Sequence, residues 1–224
     1  MGAQKRRLVI AIDGPVGAGK STAARRLAEV LEYVYIDSGA MYRAMGWKAM
    51  QAGVDIRDHD RVVALAATTE IRTVASPSGP RVLVEDRDVT DALRTPAMDE
   101  ASSVVSTYPE VRERLVALQR ETAKDGGIVM DGRDIGTVVF PHADVKFYLD
   151  ADLAVRAARR LEDLRKRGTT ADFDAVQADV LRRDARDRGR GASPLLPAAS
   201  AFFIDSTSLM VDEVLSRMLA VVEK

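Results

Sequence analysis

Leu8-Val9-Ile10-Ala11-Ile12-Asp13-Gly14-Pro15-Val16-Gly17-Ala18-Gly19-Lys20-Ser21-Thr22 is the stretch that decides the fold. Five apolar residues lead into a G-x-x-x-x-G-K-[ST] loop, which runs into the helix-forming Thr22-Ala23-Ala24-Arg25-Arg26-Leu27-Ala28. Strand, glycine-rich turn and helix start make an anion site in that order. Glycines let backbone N–H groups converge, and the helix end adds partial positive charge. Lys20 is spaced to reach the β- and γ-phosphates of a nucleoside triphosphate, and Ser21 Oγ to ligate Mg²⁺. Gly14, Pro15, Val16, Gly17, Ala18, Gly19, Lys20, Ser21 and Thr22 are thus the expected ATP-binding residues. The competing reading is a glycine-rich turn with a surface lysine.

The whole-chain balance narrows the partners. With 33 basic and 34 acidic residues among 224, the net charge of -1 gives no global field for nucleic acid or membrane, so any attraction for anions is local. The absence of cysteine excludes disulfides, thiolate metal sites and a cysteine nucleophile, and fits a reducing cytoplasm. Lys5-Arg6-Arg7 before Leu8–Ile12 resembles the start of a signal peptide, but the apolar run stops at Asp13. Met1-Gly2 with Arg6 at position 6 does not fit the myristoylation pattern. The expectation is a cytoplasmic monomer of small-molecule substrates.

Further along, apolar runs alternate with helical patterns, the signature of a parallel sheet covered on both faces. Strands are expected at Leu8–Ile12, Val34–Ile36, Ile128–Met130, Val145–Leu149 and Phe202–Ile204. Helices are expected over about 21–31, 40–51, 59–68, 97–105, 109–123, 151–166, 173–187 and 210–222, with Gly53 stopping the second. Asp37, Asp131, Asp150 and Asp205 end four strands, where open α/β sheets hold their ligands; Asp150 and Asp205 read rather as helix N-caps. Between Thr69 and Thr90 the alternation breaks into a small antiparallel meander, read as an insertion.

Other classes of nucleotide-binding protein fall away. The chain has no asparagine, so no N-K-x-D guanine reader, and it lacks L-S-G-G-Q, H-R-D and D-F-G stretches. A small-molecule kinase survives, and three charged constellations bear on its acceptor. In Asp37-Ser38-Gly39-Ala40-Met41-Tyr42-Arg43, Arg43 can meet a phosphate and Ser38 a small polar group; the alternative is an N-capped helix with a solvated arginine. In Asp131-Gly132-Arg133-Asp134, Asp131 fits an acid that holds Mg²⁺ or its waters and Arg133 a fork for phosphate oxygens; a structural ion-pair network is the alternative. Arg183, Asp187 and Arg190 recur at i, i+4 and i+7, one face if helical, with Gly189 free to end the helix first; a solvated charged helix is the alternative. Arg156, Arg159 and Arg160, with Lys166 and Arg167, can form a basic lid that keeps water from the transferred phosphoryl. His59 and His142 lie outside every constellation.

Taken together, Ile12-Asp13-Gly14-Pro15, Asp37-Ser38-Gly39-Ala40, the run from Asp131 to Pro141, and Arg183-Asp184-Ala185-Arg186-Asp187-Arg188 resemble the bacterial cytidylate kinases of the nucleoside monophosphate kinase superfamily. The resemblance covers nearly the whole chain, meander included. It implies a P-loop three-layer α/β/α fold with a five-stranded parallel sheet of order 2-3-1-4-5, a small antiparallel monophosphate-binding insertion and a short helical lid. The core would be 1–37, 106–150 and 196–224, the monophosphate-binding region 38–105 with the meander at about 69–90, and the lid and nucleotide-contact helices 151–195. It implies γ-phosphoryl transfer from Mg·ATP to CMP or dCMP. Ser38, Ser103, Arg112 and Asp134 fall where that family reads cytosine, Arg183 and Asp187 where it holds ribose, and Arg43, Arg133 and Arg190 where it holds the acceptor phosphate. Lys20, Arg133, Arg159 and Arg160 are the expected catalytic residues, and Ser21 and Asp131 the metal ligands. Asp134 beside Arg112 is chemically apt: cytosine pairs a donor at C4 with acceptors at N3 and O2, whereas uracil would turn its O4 toward the carboxylate. Two rivals remain open, a P-loop kinase of another acceptor such as UMP, and a nucleotide-dependent or RNA-binding module that uses the Arg182–Arg190 run.

Overall fold

Strand β1 (Val9–Asp13) forms the centre of a five-stranded parallel sheet in the computed structural model, which describes residues 7–74, 76 and 79–223. The readings made at Met1, Gly2, Lys5 and Arg6, and at Pro77 and Ser78 of the meander turn, lie outside the described residues. β1 pairs with β6 (Ile128–Gly132) on one side and β7 (Val145–Asp150) on the other; β2 (Val34–Asp37) lies outside β6 and β8 (Phe202–Asp205) outside β7. Counting only these strands, the order is 2-3-1-4-5, as the resemblance implies. The inner strands are apolar without alternation because helices cover both faces. Ile10, Ile12, Val129, Met130 and Phe147 are all buried, whereas edge strand β8 leaves Phe202 and Phe203 half exposed.

Helix α1 (Lys20–Leu31) packs Ala23, Ala24, Leu27 and Ala28 onto the sheet, small residues that bring its start close to the loop. α2 (Ser38–Gln51) opens on Asp37, whose side chain accepts from Ala40 N, and closes on a Schellman pair, Gly53 N to Met50 O and Val54 N to Ala49 O. With α3 (His59–Thr68), α4 (Pro96–Val105) and α5 (Pro109–Glu121) it encloses a second core around Met41, Met45, Val62 and Leu115. The meander is the antiparallel sheet β3 (Ile71–Val74), β4 (Arg81–Val84) and β5 (Arg87–Asp88), its third strand shorter than expected. α6 (Leu153–Lys166) and α7 (Phe173–Arg188) form a hairpin with its own small core of Leu161, Leu164, Val176 and Val180. α8 (Val211–Val222) closes the chain.

Two expectations fail locally. Asp150 and Asp205 are not helix caps: Asp150 accepts from Ala151 N and Asp205 from Thr207 N, bending the chain just after each strand. α6 starts after Asp152, and α8 after Met210, whose N–H is taken by Glu213. In addition, Ile135–Val139 is a π-helical turn that no periodicity marks.

Candidate active site

The loop after β1 wraps as the glycines require. Gly14 adopts φ +147°, and a Cβ there would lie 1.9 Å from Leu149 O, so no other residue fits between the loop and β7. Lys20, buried at the first turn of α1, donates to Pro15 O at 2.7 Å. Burial lowers its pKa to about 7, with Arg133 adding to the effect and Asp131, Asp13 and Asp187 opposing it. Ser21 Oγ donates to Asp131 Oδ2 at 2.9 Å, and Tyr35 Oη donates to Asp131 Oδ1 at 2.8 Å. Burial and the nearby Asp37 raise the Asp131 pKa, so that pocket favours a cation. A hydroxyl beside a carboxylate suits Mg²⁺, which takes few protein oxygens and completes its shell with phosphates and water. No cluster of three or more Asp, Glu, His or Cys suited to a metal occurs among the described residues.

From this loop a cleft of about 1580 Å³ runs to α2, α4 and α5, large against the ~300–1,000 Å³ of single-ligand pockets and roomy enough for two nucleotides. Its lining carries Lys and Arg over Asp and Glu by twelve to eight, so the local positive field expected of a nearly neutral chain is here. At the far end of the cleft Arg112 and Asp134 form a buried ion pair; Arg112 also donates to Ser106 O at 3.2 Å and lies over the Tyr42 ring at 5.3 Å. Ser38 Oγ donates to Asp131 O at 2.7 Å, and Ser103 Oγ accepts from Arg186 at 2.6 Å. Arg133 Nε donates to Asp187 at 2.8 Å, and Arg190 pairs with the same carboxylate. Burial would raise the Asp187 pKa, but these arginines outweigh it and hold it low. Arg190 lies past the end of α7 at Gly189, yet its guanidinium still reaches the expected face. Arg43 binds Asp37 at 2.5 Å.

Asp99, on α4, was not singled out from sequence. Its carboxylate pairs with Arg160 and lies 3.9 Å from Arg43, while its backbone oxygen accepts from Arg183 at 3.3 Å. Burial acts to raise its pKa, but Arg160, Arg183 and Arg43 hold it low. Arg159 donates to Ser206 Oγ and O at 3.0 and 2.7 Å. Arg156 is a correction to the expected lid: it is buried, bound to Asp184 at 2.5 Å and to Val16 O at 3.1 Å, while Asp184 accepts from Val16 N. Together they clamp the glycine-rich loop, and helical spacing could not reveal that Arg156 turns inward while Arg159 and Arg160 face the cleft. Asp13, also unassigned, accepts from Ile135 N and Gly136 N at 2.7 Å each; burial raises its pKa to about 6 against those bonds.

The model of the family described as "Cytidylate kinase" matches residues 10–224. A curated cytidylate kinase of Geobacillus kaustophilus is 49% identical over 220 residues, covering 98% of each chain. One from Symbiobacterium thermophilum is 48% identical over 215 residues, covering 96% of this chain and 95% of its own. A gluconokinase structure from Sinorhizobium meliloti shares the fold at TM-score 0.50 and 14% identity, covering 98% of this chain and 94% of its own.

Proposed function

Since the chain belongs to the cytidylate kinase family, and so is an enzyme of nucleoside monophosphate phosphorylation, we propose that it transfers the γ-phosphoryl of Mg·ATP to CMP or dCMP, giving ADP and CDP or dCDP. The observation that carries the reading is the buried Arg112–Asp134 pair at the far end of a cleft that begins at Lys20. The Asp134 carboxylate offers an acceptor to the C4 amine of cytosine, and the Arg112 guanidinium offers a donor to N3 or O2. Uracil would leave buried groups unpaired at about 1–3 kcal/mol each, a tenfold to hundredfold bias.

Catalysis is positioning and electrostatics. The attacking phosphate oxygen is already anionic, so no general base is needed. Lys20 reaches the transferred phosphoryl from α1, and Arg133 with Arg43 and Arg190 holds the acceptor phosphate in line with it. Ser21 and Asp131 would hold Mg²⁺, directly or through water, where it offsets charge on the β- and γ-phosphates. Arg159 and Arg160 face the same space from α6 and supply donors to the spreading charge. Every one of these arginines is engaged with an aspartate or a backbone oxygen of the protein, so each is held near its working position and is shared with phosphate on binding. Asp187 and Arg183 are the partners for sugar hydroxyls, and Ser38 and Ser103 complete the rim of the base site.

The cleft from the glycine-rich loop to Arg112 and Asp134 is lined by residues of one chain, in keeping with a monomer acting on small nucleotides, and a cytoplasmic location suits those substrates. No helix of the described residues is long and apolar enough to cross a membrane. The test is ADP production with Mg·ATP and, one at a time, CMP, dCMP, UMP, AMP and GMP. Turnover confined to CMP and dCMP, and abolished by chelation of Mg²⁺, is expected; preference for any other acceptor overturns the assignment.

A further inference from the structure

We infer that Asp13 is a positioning residue for acceptor recognition, acting across the sheet on the turn that carries Arg133 and Asp134; this rests on the reading of those two residues given above. Asp13 is the last residue of β1, is buried, and is not among the residues that line the cleft. Its side chain points across the sheet rather than into the loop it precedes. Strand pairing puts Asp13 opposite Gly132, the last residue of β6. That pairing fixes the entrance to the segment Arg133-Asp134.

The exit has no such support. The π-helical turn Ile135–Val139 begins at once, and its first N–H groups have no partner within the turn. Asp13 supplies both, one carboxylate oxygen to Ile135 N and the other to Gly136 N. The far end of the turn is tied separately, by Arg120 to the oxygens of Val138 and Val139. The backbone of Arg133 and Asp134 thus runs between a strand register and two carboxylate bonds, with Asp134 O taken by Val138 N and Val139 N and the side chains paired to Asp187 and Arg112. Burial and the nearby Asp134 raise the Asp13 pKa to about 6, and the two N–H bonds, together with Lys20, act against that rise. A carboxylate gives each of these two N–H groups an oxygen of its own; an asparagine would turn an amide donor toward one of them or leave a single oxygen to serve both. Because Asp13 also precedes Gly14, one residue joins the donor loop to the acceptor-base turn.

The test separates donor from acceptor. CMP and ATP binding are measured by calorimetry on the full-length protein and on Asp13→Asn, with kcat/KM for CMP and UMP and a melting curve alongside. Asp13→Asn is expected to weaken CMP about tenfold or more and to narrow the CMP-over-UMP ratio, since a backbone hydrogen bond to a charged group is lost. ATP affinity is expected to stay within about twofold, because removing a carboxylate beside Lys20 does not disfavour an anion. Gly136→Ala approaches from the other side: its Cβ would lie 3.3 Å from Asp13 Oδ2 and 3.2 Å from Lys146 Cδ. It is expected to give the same acceptor-selective loss, and it serves alone if Asp13→Asn does not fold. Parallel loss of ATP and CMP affinity, or unchanged CMP affinity and selectivity in the folded variants, overturns the inference. If the parent enzyme prefers another acceptor, the cytosine reading fails by itself. The donor-against-acceptor split, measured with that acceptor, still decides the role of Asp13.

Discussion

Binding of a nucleoside triphosphate should draw a proton out of solution, and Lys20 is where it should go. In the nucleotide-free protein, burial next to Arg133 brings the Lys20 pKa down to about 7. At pH 7.5 a group with that pKa is about three-quarters neutral. A bound triphosphate places several negative charges against the ammonium and returns its pKa to the ordinary lysine range or above, so about 0.7 proton is taken up per nucleotide. At pH 6 the same reasoning gives about 0.1, and at pH 9 nearly one. The sign follows: triphosphate affinity is expected to fall as pH rises above 7, because the empty site must first be protonated. The assay is calorimetric titration of Mg·ATP, without acceptor, in buffers of different ionisation enthalpy; the slope of observed heat against buffer enthalpy counts protons. Lys20→Met removes the titrating group and should reduce the slope to near zero. A wild-type slope near zero at pH 7.5, or an undiminished slope in Lys20→Met, would refute the placement of Lys20 at the triphosphate.

Three other expectations concern the acceptor site and the packing behind it. Asp134→Asn should lower kcat/KM for CMP about ten- to hundredfold and bring UMP closer to CMP, since the carboxylate acceptor is lost and Arg112 is left half-paired; steady-state kinetics with both nucleotides reads this, and an unchanged ratio counts against the base-reading role. Phe147→Ala empties a fully buried position on β7 and should cost about 3–5 kcal/mol, lowering Tm by roughly 6–20 °C in a scanning experiment; a drop of a degree or two would mean that the site collapses without cost. Gly46→Ala would bring a Cβ within 2.6 Å of Ala101 Cβ on α4. The gain in helix propensity, about 1 kcal/mol, is set against overpacking of about 1–3 kcal/mol, so a lower urea midpoint is expected, and a variant as stable as the parent would show that the two helices slide apart freely.

The residues legible from sequence are those whose chemistry is local. The glycine-rich loop, the apolar strands and the Asp37 cap all depend on neighbours within a few positions, and each was readable from the letters. Sheet order is not local, and only the family resemblance supplied it. Buried charges escaped because their partners lie far along the chain: Asp13 meets the N–H groups of Ile135 and Gly136, Asp99 meets Arg160, and Arg156 meets Asp184. Helical spacing places Arg156 and Arg160 on one face, yet a residue that lies along the seam with α7 turns toward the interior, and no periodicity records that. The π-helical turn escaped for a related reason, since Asp13 stabilises it from another strand. Asp150 and Asp205 misled because an acid after a strand serves equally as a turn residue or as a cap, and the helix began later than the run of helix formers.

Between α4 and the α6–α7 hairpin lies a gap of about 350 Å³, bridged by Arg160 with Asp99, Arg183 with Asp99 O, and Arg186 with Glu100. None of the four apolar clusters crosses it. Separating these two parts therefore wets charged groups and little hydrocarbon, and the heat capacity of protein hydration is set chiefly by hydrocarbon. Any separation of α4 from the hairpin would then be nearly flat in temperature, where a hinge of packed side chains would be curved. Ionic strength would tune it instead, by screening the Arg160–Asp99 and Arg186–Glu100 ion pairs without touching the cores on either side.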